Sequence, residues 1–462
     1  MTLRQDLGLY FLSLLLFGAL AVGGASLEGE GAHALLFAFS GAILTTILLL
    51  GSLDWISGNA RFVFVLLGLI VGLSTLQTVP LPTEWVGTLT DANAATGGLD
   101  QLGHSSRSAP TSFAPEATVG SILAFLLPAA TFGLIASLSW RRVSELLVWA
   151  IPFLGATTAS LGLAQVFGGE QSPLYFYEFT NRGAPTGLFA NVNHQASFLL
   201  MCLPFTVVAG GRVIRSWRGR DKDFALGICA AALFLLLLIG IASAGSVAGY
   251  ILLVPILLSS LLLLRGRKST LRGYAKYGAI PALVFLSVAI VASSPVLENL
   301  GATSFKDNEF SRVGFTRTSL EIFSHHYAFG TGLGTFSDVY HLYENQQKVD
   351  STYVAHAHND YLEWATEMGY PGIFILAVFL VWWGIQMARI WGNSASGSEL
   401  RRAASIATFV VILHSTVDYP LRTPAISCLA ATCLALMVVT HVSKRKSSSA
   451  MKENAAHKTI TL

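Results

Sequence analysis

Long apolar runs separated by short polar segments dominate this chain. A helix needs about 20 consecutive apolar residues to cross a bilayer, and the sequence contains twelve runs of roughly that length. The runs lie near 8–26, 33–53, 62–80, 118–138, 145–167, 188–210, 225–243, 246–264, 275–293, 370–390, 403–418 and 424–442. We interpret the first run as a retained anchor and not as a signal peptide, because it is long and eleven similar runs follow it. The pattern predicts an all-α integral membrane protein with about twelve transmembrane helices.

The composition supports this prediction. Hydrophobic residues make up 53% of the chain and charged residues only 12%, whereas a soluble domain carries about 25% charged residues. The mean hydropathy is +0.59. These values exclude a soluble domain, a disordered chain and a nucleic-acid-binding protein. The four cysteines lie inside apolar runs without metal-ligand spacing, so we interpret them as small buried side chains.

Basic residues indicate which way the predicted spans face. If the N-terminus is cytoplasmic, most of the 29 lysines and arginines lie in cytoplasmic segments, as the positive-inside rule requires. Both termini are then cytoplasmic, and two long connections, near 81–117 and 294–369, are extracytoplasmic. The first connection is rich in small and polar residues and is interpreted as an irregular loop. We expect one polytopic membrane domain over 1–443 and a basic cytoplasmic tail over 444–462.

Some basic residues fall on the extracytoplasmic side against this bias. Arg107, Lys306 and Lys348 lie in polar loop sequence, where solvation accounts for them. The remaining exceptions lie near predicted membrane boundaries and are Arg182, Arg312, Arg317 and Arg422. A charged side chain at such a boundary needs a partner, so these arginines mark candidate sites.

The segment around Arg182 leads into the sixth predicted span. Arg182 stands in a turn that contains Gly and Pro, and the first turns of the following span carry several polar side chains. These are Asn191, Asn193, His194 and Gln195. Polar side chains are costly when they face lipid. They therefore either line a site, which is the interpretation we favour, or cap the helix and bond neighbouring helices.

The pattern over 311–326 predicts an amphipathic helix in the second long connection. On a straight helix Arg312 and Ser319 share one face, whereas Arg317 points elsewhere, so the two arginines are not expected to hold one group together. A Gly-x-Gly-x-Gly run over 330–334 follows. Such a run beside basic residues can cradle a phosphate, but a plain turn is the favoured interpretation.

Two histidines stand just before the tenth predicted span. His356 and His358 are followed by three carboxylates, Asp360, Glu363 and Glu367. Histidine with carboxylates can bind zinc, but no further ligand set has recognisable spacing, and we predict neither a metal nor another cofactor. A histidine can instead accept a proton near neutral pH. A purely structural histidine is the remaining alternative.

A histidine and an aspartate stand at the outer end of the eleventh predicted span. His414 and Asp418 are four residues apart, a spacing that shares one helix face. Arg422 follows in a turn flanked by prolines. We interpret the His–Asp pair as a lock at the helix end, and a wall of the same cavity is the alternative.

These segments together place arginines and histidines at one boundary of the membrane. Arginine binds phosphate through two parallel hydrogen bonds and can compensate a leaving diphosphate, and a histidine can deprotonate a hydroxyl acceptor. Transfer of a group from a lipid diphosphate to an alcohol fits these residues. A transporter or lipid-glycan flippase would carry ionisable residues at mid-membrane, and the span interiors near 230–242 and 250–264 have almost none. A non-catalytic scaffold is a third hypothesis.

The same residues resemble the O-antigen ligase/O-antigen polymerase family of bacterial inner-membrane glycosyltransferases, from about 180 to 425. The elements that carry the resemblance are His358-Asn359-Asp360-Tyr361-Leu362 followed by Glu367 and Gly369; Arg182 with Gly187, Phe189 and Asn193; and Arg312 with Gly330, Gly332 and Gly334. The chain departs from the family pattern at three places. Thr316 stands where Trp is common, Tyr327 where Pro is usual, and 243–246 lacks a common Ser-Arg dipeptide.

The resemblance implies a membrane-embedded, GT-C-like fold whose extracytoplasmic loop carries short helices. It also implies an inverting, metal-independent transfer of an undecaprenyl-diphosphate-linked oligosaccharide to an acceptor hydroxyl on the periplasmic face of the bacterial inner membrane. Arg182 and Arg312, with Arg317 beside them, would hold the diphosphate, and His358 would serve the acceptor as a base or by positioning it. The supporting residues would be Asn193, His194, His356, Asn359, Tyr361, His414 and Asp418.

Members of this family are polymerases, which join repeat units, or ligases, which move a finished polymer to lipid A-core or to a protein. The stretch from His414 to Pro420 resembles members associated with exopolysaccharide synthesis, which favours a polymerase. The expected partners are the lipid-linked donor, an acceptor glycan or lipid A-core, membrane lipids and other polysaccharide assembly proteins. No nucleic acid is expected.

Overall fold

The computed structural model describes residues 2–26, 29–50, 58–90, 108–217, 220–264, 312–345, 347, 353–392 and 398–439. The predicted ninth span, 275–293, and the predicted tail, 444–462, lie outside these residues. The described chain is almost entirely helical, which confirms the prediction of an all-α membrane protein.

The helices within residues 2–264 are α1 Thr2–Val22, α2 Glu30–Leu50, α3 Asn59–Thr78, α4 Thr83–Thr90, α5 Pro115–Ala124, α6 Leu126–Ser137, α7 Trp140–Gly168, α8 Val192–Ser216, α9 Asp221–Ser243 and α10 Val247–Leu261. After these come α11 Arg312–His326, α12 Phe336–Tyr343, α13 Asp360–Gly392, α14 Ser398–His414 and α15 Pro424–Val438. Short 3₁₀ turns occupy Leu262–Leu264 and Pro420–Arg422.

Each predicted span inside the described residues overlaps one of these helices, except 118–138, which is divided between α5 and α6. Eight described segments are long and apolar enough to cross a membrane, with α5 and α6 counted as one segment, Pro115–Ser137. The helices α10 and α15 are apolar but shorter. The chain is therefore a multi-pass membrane protein, while the count of twelve spans stays a prediction.

The helix α8 lies at the centre of the bundle, where it packs against α7, α9, α10 and α14. Its apolar residues are buried on all sides, including Phe198, Leu200 and Phe205, as expected for a helix that neighbours enclose. A second group of helices, α1, α2, α6 and α15, packs beside it. The amphipathic helix α11, predicted over 311–326, is present and lies against α12 and α13.

The bundle has two chemically different ends. At one end Arg142 pairs with Asp6, Arg215 lies 3.3 Å from Glu399, and Arg401 donates to the carbonyl of Met437 at 2.6 Å. These arginines belong to the set that the sequence assigns to the cytoplasm. The end of α14 and the start of α8 and α13 lie at the other end, together with His358.

The first long connection differs from the predicted irregular loop. It contains the short helix α4, and Leu81–Pro82 (β1) pairs antiparallel with Ser108–Ala109 (β2). The side chain of Gln77 fixes this region to the second connection, because its amide donates to the carbonyls of Phe329 and Glu367 at 2.7 and 2.8 Å.

Candidate active site

An open cleft of about 530 Å³ lies at the end of the bundle opposite the arginine-rich end. One wall is the exposed side of α11 and the other is the connection that follows α14. The lining residues are Arg312, Val313, Thr316, Arg317, Leu320, His358, Asn359, Thr416 and Val417. The cleft thus combines two guanidinium groups, one imidazole and several apolar side chains.

His358 stands at the floor of this cleft in an unusual backbone conformation. Its φ is 50°, the single positive φ outside glycine among the described residues. Residues other than glycine rarely adopt this region, and such strain is concentrated at functional sites. The imidazole is held between two rings, since Phe315 stacks on it at 5.5 Å and Tyr419 meets it edge to face at 5.0 Å.

A buried carboxylate lies behind His358. Its Nδ1 is 3.4 Å from Oδ1 of Asp418, a side chain with no exposed surface. Because Nδ1 faces Asp418, Nε2 is the ring nitrogen that a molecule in the cleft can reach. A carboxylate in this position orients an imidazole and stabilises its protonated form.

Asp418 is held as an anion by the groups around it. Burial alone would raise the pKa of its carboxyl group, but the neighbouring imidazoles of His194 and His358 outweigh burial and hold the pKa well below its ordinary value. The amide of Asn193 also donates to Oδ2 at 2.8 Å. Asp418 in turn raises the pKa of the adjacent Tyr419 hydroxyl, in addition to the effect of burial.

The polar start of α8 faces this carboxylate. The side chain of Asn191 caps the helix by accepting from the backbone N–H of Asn193, and Asn193 bonds to Asp418 in another segment, as the alternative interpretation expects. These residues are not among those that line the cleft. Gln195 instead bonds to a neighbouring helix. It accepts from the hydroxyl of Thr158 at 2.8 Å and joins α8 to α7.

The predicted lock between His414 and Asp418 is wrong. The helix α14 ends at His414, so Asp418 lies beyond it and does not continue its face. Nδ1 of His414 instead meets the hydroxyl of Ser197, and Asp418 turns to His358. Asp418 is fully buried behind His358, and the residues of this connection that line the cleft are Thr416 and Val417.

On a straight helix Arg312 and Arg317 point to different sides of α11, yet both contribute to the cleft. Val313 and Thr316, between them on α11, and Leu320, one turn further on, line the same cleft. Ser319, which was expected to share the face of Arg312, is fully buried and donates to the carbonyl of Phe315. The exposed face of α11 is wide enough for two long side chains at its edges to reach one space.

Arg182 is not among the residues that line the cleft. Its guanidinium lies over the ring of Tyr175, 5.7 Å from the centroid, and donates to the carbonyl of Glu170 at 3.4 Å. The loop that carries it is fixed to the bundle at Gly187, whose N–H donates to Gln165. The structure therefore separates Arg182 from the other two predicted arginines.

A second cluster of charged residues lies beneath the cleft and is closed to it. Arg422 reaches three carboxylates on one side of α13: Glu367 at 2.8 Å, Glu363 at 3.4 Å and Asp360 at 3.7 Å. The surrounding carboxylates raise the pKa of the guanidinium, although burial opposes this. We call Arg422, Asp360, Glu363 and Glu367 the buried ion network.

His356 contacts the buried ion network and does not line the cleft. Its Nδ1 lies 2.8 Å from Glu363 and its Nε2 lies 2.9 Å from the hydroxyl of Ser26. The two neighbouring histidines therefore serve different surroundings. Within the described part of the chain, no three His, Cys, Asp or Glu side chains are grouped to hold a metal ion.

Asn359 and Tyr361 fix the start of α13. The side chain of Asn359 accepts from the backbone N–H groups of Tyr361 and Leu362 at 3.0 and 3.1 Å, which makes it the helix cap, and it also lines the cleft. The hydroxyl of Tyr361 donates to the carbonyl of Ile412 and joins α13 to α14.

The glycine run over 330–334 is a structural turn. The N–H groups of Thr331 and Gly332 donate to the carbonyls of Thr366 and Glu367, both at 3.0 Å, so they are not available to a phosphate. At Gly330, with φ of 74°, a Cβ atom would lie 2.2 Å from the carbonyl oxygen of Glu367. Only glycine allows this close approach of the two segments.

Sequence reasoning missed the roles of Phe315, Tyr419 and Arg422 in building the site. The spacing of Asp360, Glu363 and Glu367 was a usable signal, because residues at i, i+3 and i+7 share one helix face. Three carboxylates on a buried face require a cation, and Arg422 was already an unexplained boundary arginine. No comparable signal identifies Phe315 or Tyr419.

The fold and the cleft define a multi-pass, all-α membrane protein with cationic and imidazole side chains gathered at one end of its helix bundle. Comparison with protein families gives a match to the O-antigen ligase family over residues 232–377. Over this segment the chain is similar to the O-antigen ligase family, in agreement with the resemblance seen in the motifs. It contains Arg312, Arg317 and His358, whereas Arg182 and Asp418 lie outside it. A comparison with curated proteins gives no match.

The family match supports glycan transfer of the ligase or polymerase type. It implies a lipid-linked glycan and a glycan acceptor as the substrates, both at the membrane. It does not separate the two activities.

Proposed function

We propose that this protein is a glycan polymerase of surface polysaccharide or exopolysaccharide synthesis. It transfers an undecaprenyl-diphosphate-linked oligosaccharide to a hydroxyl group of an acceptor glycan. The observation that carries this proposal is the shared cleft of Arg312, Arg317 and His358, with Asp418 behind the imidazole.

His358 acts as the general base in this proposal. Nε2 takes the proton of the acceptor hydroxyl while the oxygen attacks the anomeric carbon of the donor sugar. The bond between that carbon and the diphosphate oxygen breaks, undecaprenyl diphosphate leaves, and the configuration at the anomeric carbon inverts. The carboxylate of Asp418, 3.4 Å from Nδ1, stabilises the imidazolium that forms.

Arg312 and Arg317 bind the diphosphate. Guanidinium groups form paired hydrogen bonds with phosphate and balance the charge that develops on the leaving group. Two of them in one cleft supply the compensation that a divalent cation gives in other transferases, which supports a metal-independent reaction. The exposed apolar side chains of Val313, Leu320 and Val417 beside them fit a substrate that is part lipid.

The cleft faces the periplasm and both termini face the cytoplasm in this proposal. Its support is the separation of charge in the bundle, because Arg142, Arg215 and Arg401 gather at the end opposite His358. Positively charged segments are retained in the cytoplasm during insertion. The protein then belongs to the bacterial inner membrane.

The test is complementation of a gene deletion, with surface and secreted glycan separated by size. The wild-type protein should restore a ladder of long chains where the deletion leaves single repeat units. His358→Asn should leave the deletion pattern unchanged, because loss of a general base slows transfer by about 100- to 10,000-fold. Asparagine tolerates the positive φ at this position, so the backbone is kept.

His325→Ala is the matched control, since His325 is an exposed histidine of α11 that does not line the cleft. It should complement fully. Long chains that persist in the deletion but stay on the lipid carrier would identify a ligase. Full complementation by His358→Asn would contradict the proposed base.

A further inference from the structure

The carboxylate of Asp418 faces two imidazoles through one oxygen atom. Nδ1 of His358 lies 3.4 Å from Oδ1, and Nε2 of His194 lies 3.7 Å from the same oxygen. Both nitrogen atoms are buried, and neither has a hydrogen-bond partner among the described residues. Asp418 is therefore the group that each of these nitrogens faces.

His194 is held rigidly in this arrangement. It lies in the first turn of α8, next to Asn193, whose amide occupies the other oxygen of Asp418 at 2.8 Å. The ring is 2% exposed, so no molecule in the cleft reaches it. Tyr419 packs edge to face against it at 4.9 Å and also against His358 at 5.0 Å.

The other titratable groups around His194 are few in the described structure. His414, at the end of α14, and Arg312, on α11, both act on this region as positive or potentially positive groups. Asp418 is the sole carboxylate within ion-pair distance of His194 among the described residues. The region thus holds one negative charge and more than one site for a proton.

Two imidazoles that share one carboxylate do not titrate independently. An N–H of His194 directed at Oδ1 interacts with the negative charge of the carboxylate. The carboxylate then stabilises a protonated His358 less strongly. The proton that His358 accepts is then held less firmly and is released more readily after each transfer. Coupling of this kind acts equally in both directions.

We propose that His194 is a positioning residue that shares Oδ1 of Asp418 with His358 and so limits how firmly a proton is held on His358. The proposal rests on the proposed function, in which His358 is the general base. His194 does not touch the substrate. It acts through Asp418 alone.

The first test is the pH dependence of transfer by the purified full-length protein with an undecaprenyl-diphosphate-linked donor. Transfer requires neutral His358, so the rate rises with pH through the pKa of that group. His194→Phe removes the competing N–H, and the rising limb should move to higher pH by about one unit. His194→Gln keeps an N–H donor and should retain the wild-type limb.

His33→Phe is the matched control, because His33 is a buried histidine of α2 that bonds to the carbonyl of Val22. The rising part of its pH–rate profile should coincide with that of the wild type. An unmoved limb in His194→Phe overturns the proposal. A limb that moves equally in the Phe and Gln variants also overturns it, because the effect then comes from packing and not from the N–H.

The second test does not depend on activity or on a new residue at position 194. Histidine labelled with ¹⁵N reports the protonation of His194 in the wild-type protein and in His358→Asn. Removal of the competing imidazole should raise the pKa of His194. If the pKa of His194 is unchanged, the two histidines do not share Asp418, even if His358 is essential for transfer. An active His358→Asn variant would instead refute only the proposed function, in which His358 is the general base.

Discussion

The cleft and the buried ion network lie one above the other at the same end of the bundle, yet they use similar residues differently. In the buried ion network Arg422 contacts three carboxylates within 2.8–3.7 Å, which neutralise its charge inside the protein. In the cleft Arg312 is exposed and makes no ion pair with any described residue. The difference shows that the fold neutralises one boundary arginine and leaves the charge of another directed at an open space.

The largest effect is expected from breaking the buried ion network. Arg422→Met leaves three buried carboxylates without their cation, and loss of one partner of a buried ion pair costs about 3–5 kcal/mol. The variant should therefore give little folded protein or a strongly lowered Tm in detergent. Arg312→Met is the matched control and should keep the wild-type Tm, and equal loss of stability in both variants would contradict the distinction.

The next largest effect is expected at Arg312 and Arg182, the two arginines to which the sequence assigns the same role of binding the diphosphate. Arg312→Ala removes a charge from the cleft, and loss of one such stabilising group lowers kcat by about 100-fold. Arg182→Ala removes a side chain that rests on Tyr175 outside the cleft, and its rate should fall much less. The measurement is the transfer rate of each purified variant at saturating donor. A larger loss of rate in Arg182→Ala than in Arg312→Ala would assign diphosphate binding to Arg182.

The smallest effect concerns the carboxylate that orients the base. Asp418→Asn should slow transfer by about tenfold, since the His358 ring is still held by Phe315 and Tyr419 but loses the anion that supports its protonated form. The pKa of Asp418 is lowered in the folded protein. Its ionised form therefore stabilises the fold above about pH 4, and this contribution is lost as the pH falls through the folded-state pKa.

The Tm of Asp418→Asn should accordingly lie below that of the wild type at pH 7. The difference should shrink as the pH falls from about 4, the ordinary pKa of an aspartate, towards the lower pKa of Asp418 in the folded protein, because the wild-type carboxyl group is protonated over that range. A difference that is independent of pH would mean that shape, and not charge, accounts for the role of Asp418.

Local patterns predicted the parts of this protein that depend on neighbours in the chain. The apolar runs and the amphipathic stretch 311–326 became helices because burial of apolar surface and helical periodicity act over short distances. The same local argument failed at His414 and Asp418. A spacing of four residues pairs side chains only while the helix continues, and α14 ends at His414.

The candidate site was predictable in its chemistry but not in its connections. Unexplained arginines and a histidine beside polar helix starts pointed to Arg312, Arg317 and His358, and the structure brings these three into one cleft. It keeps Arg182 apart, on the ring of Tyr175. The partner of each charge could not be read from spacing, because the partner lies on another helix.

The sequence by itself determined that this chain is a membrane protein with helices at defined positions, and that a few charged side chains stand where lipid would not tolerate them. Tertiary structure decided which charges are neutralised and which stay open. Asp418 meets His358 from 60 residues away because α13 and α14 are antiparallel neighbours whose ends coincide. Such contacts depend on how whole helices pack, and packing is a property of many residues together rather than of any local pattern.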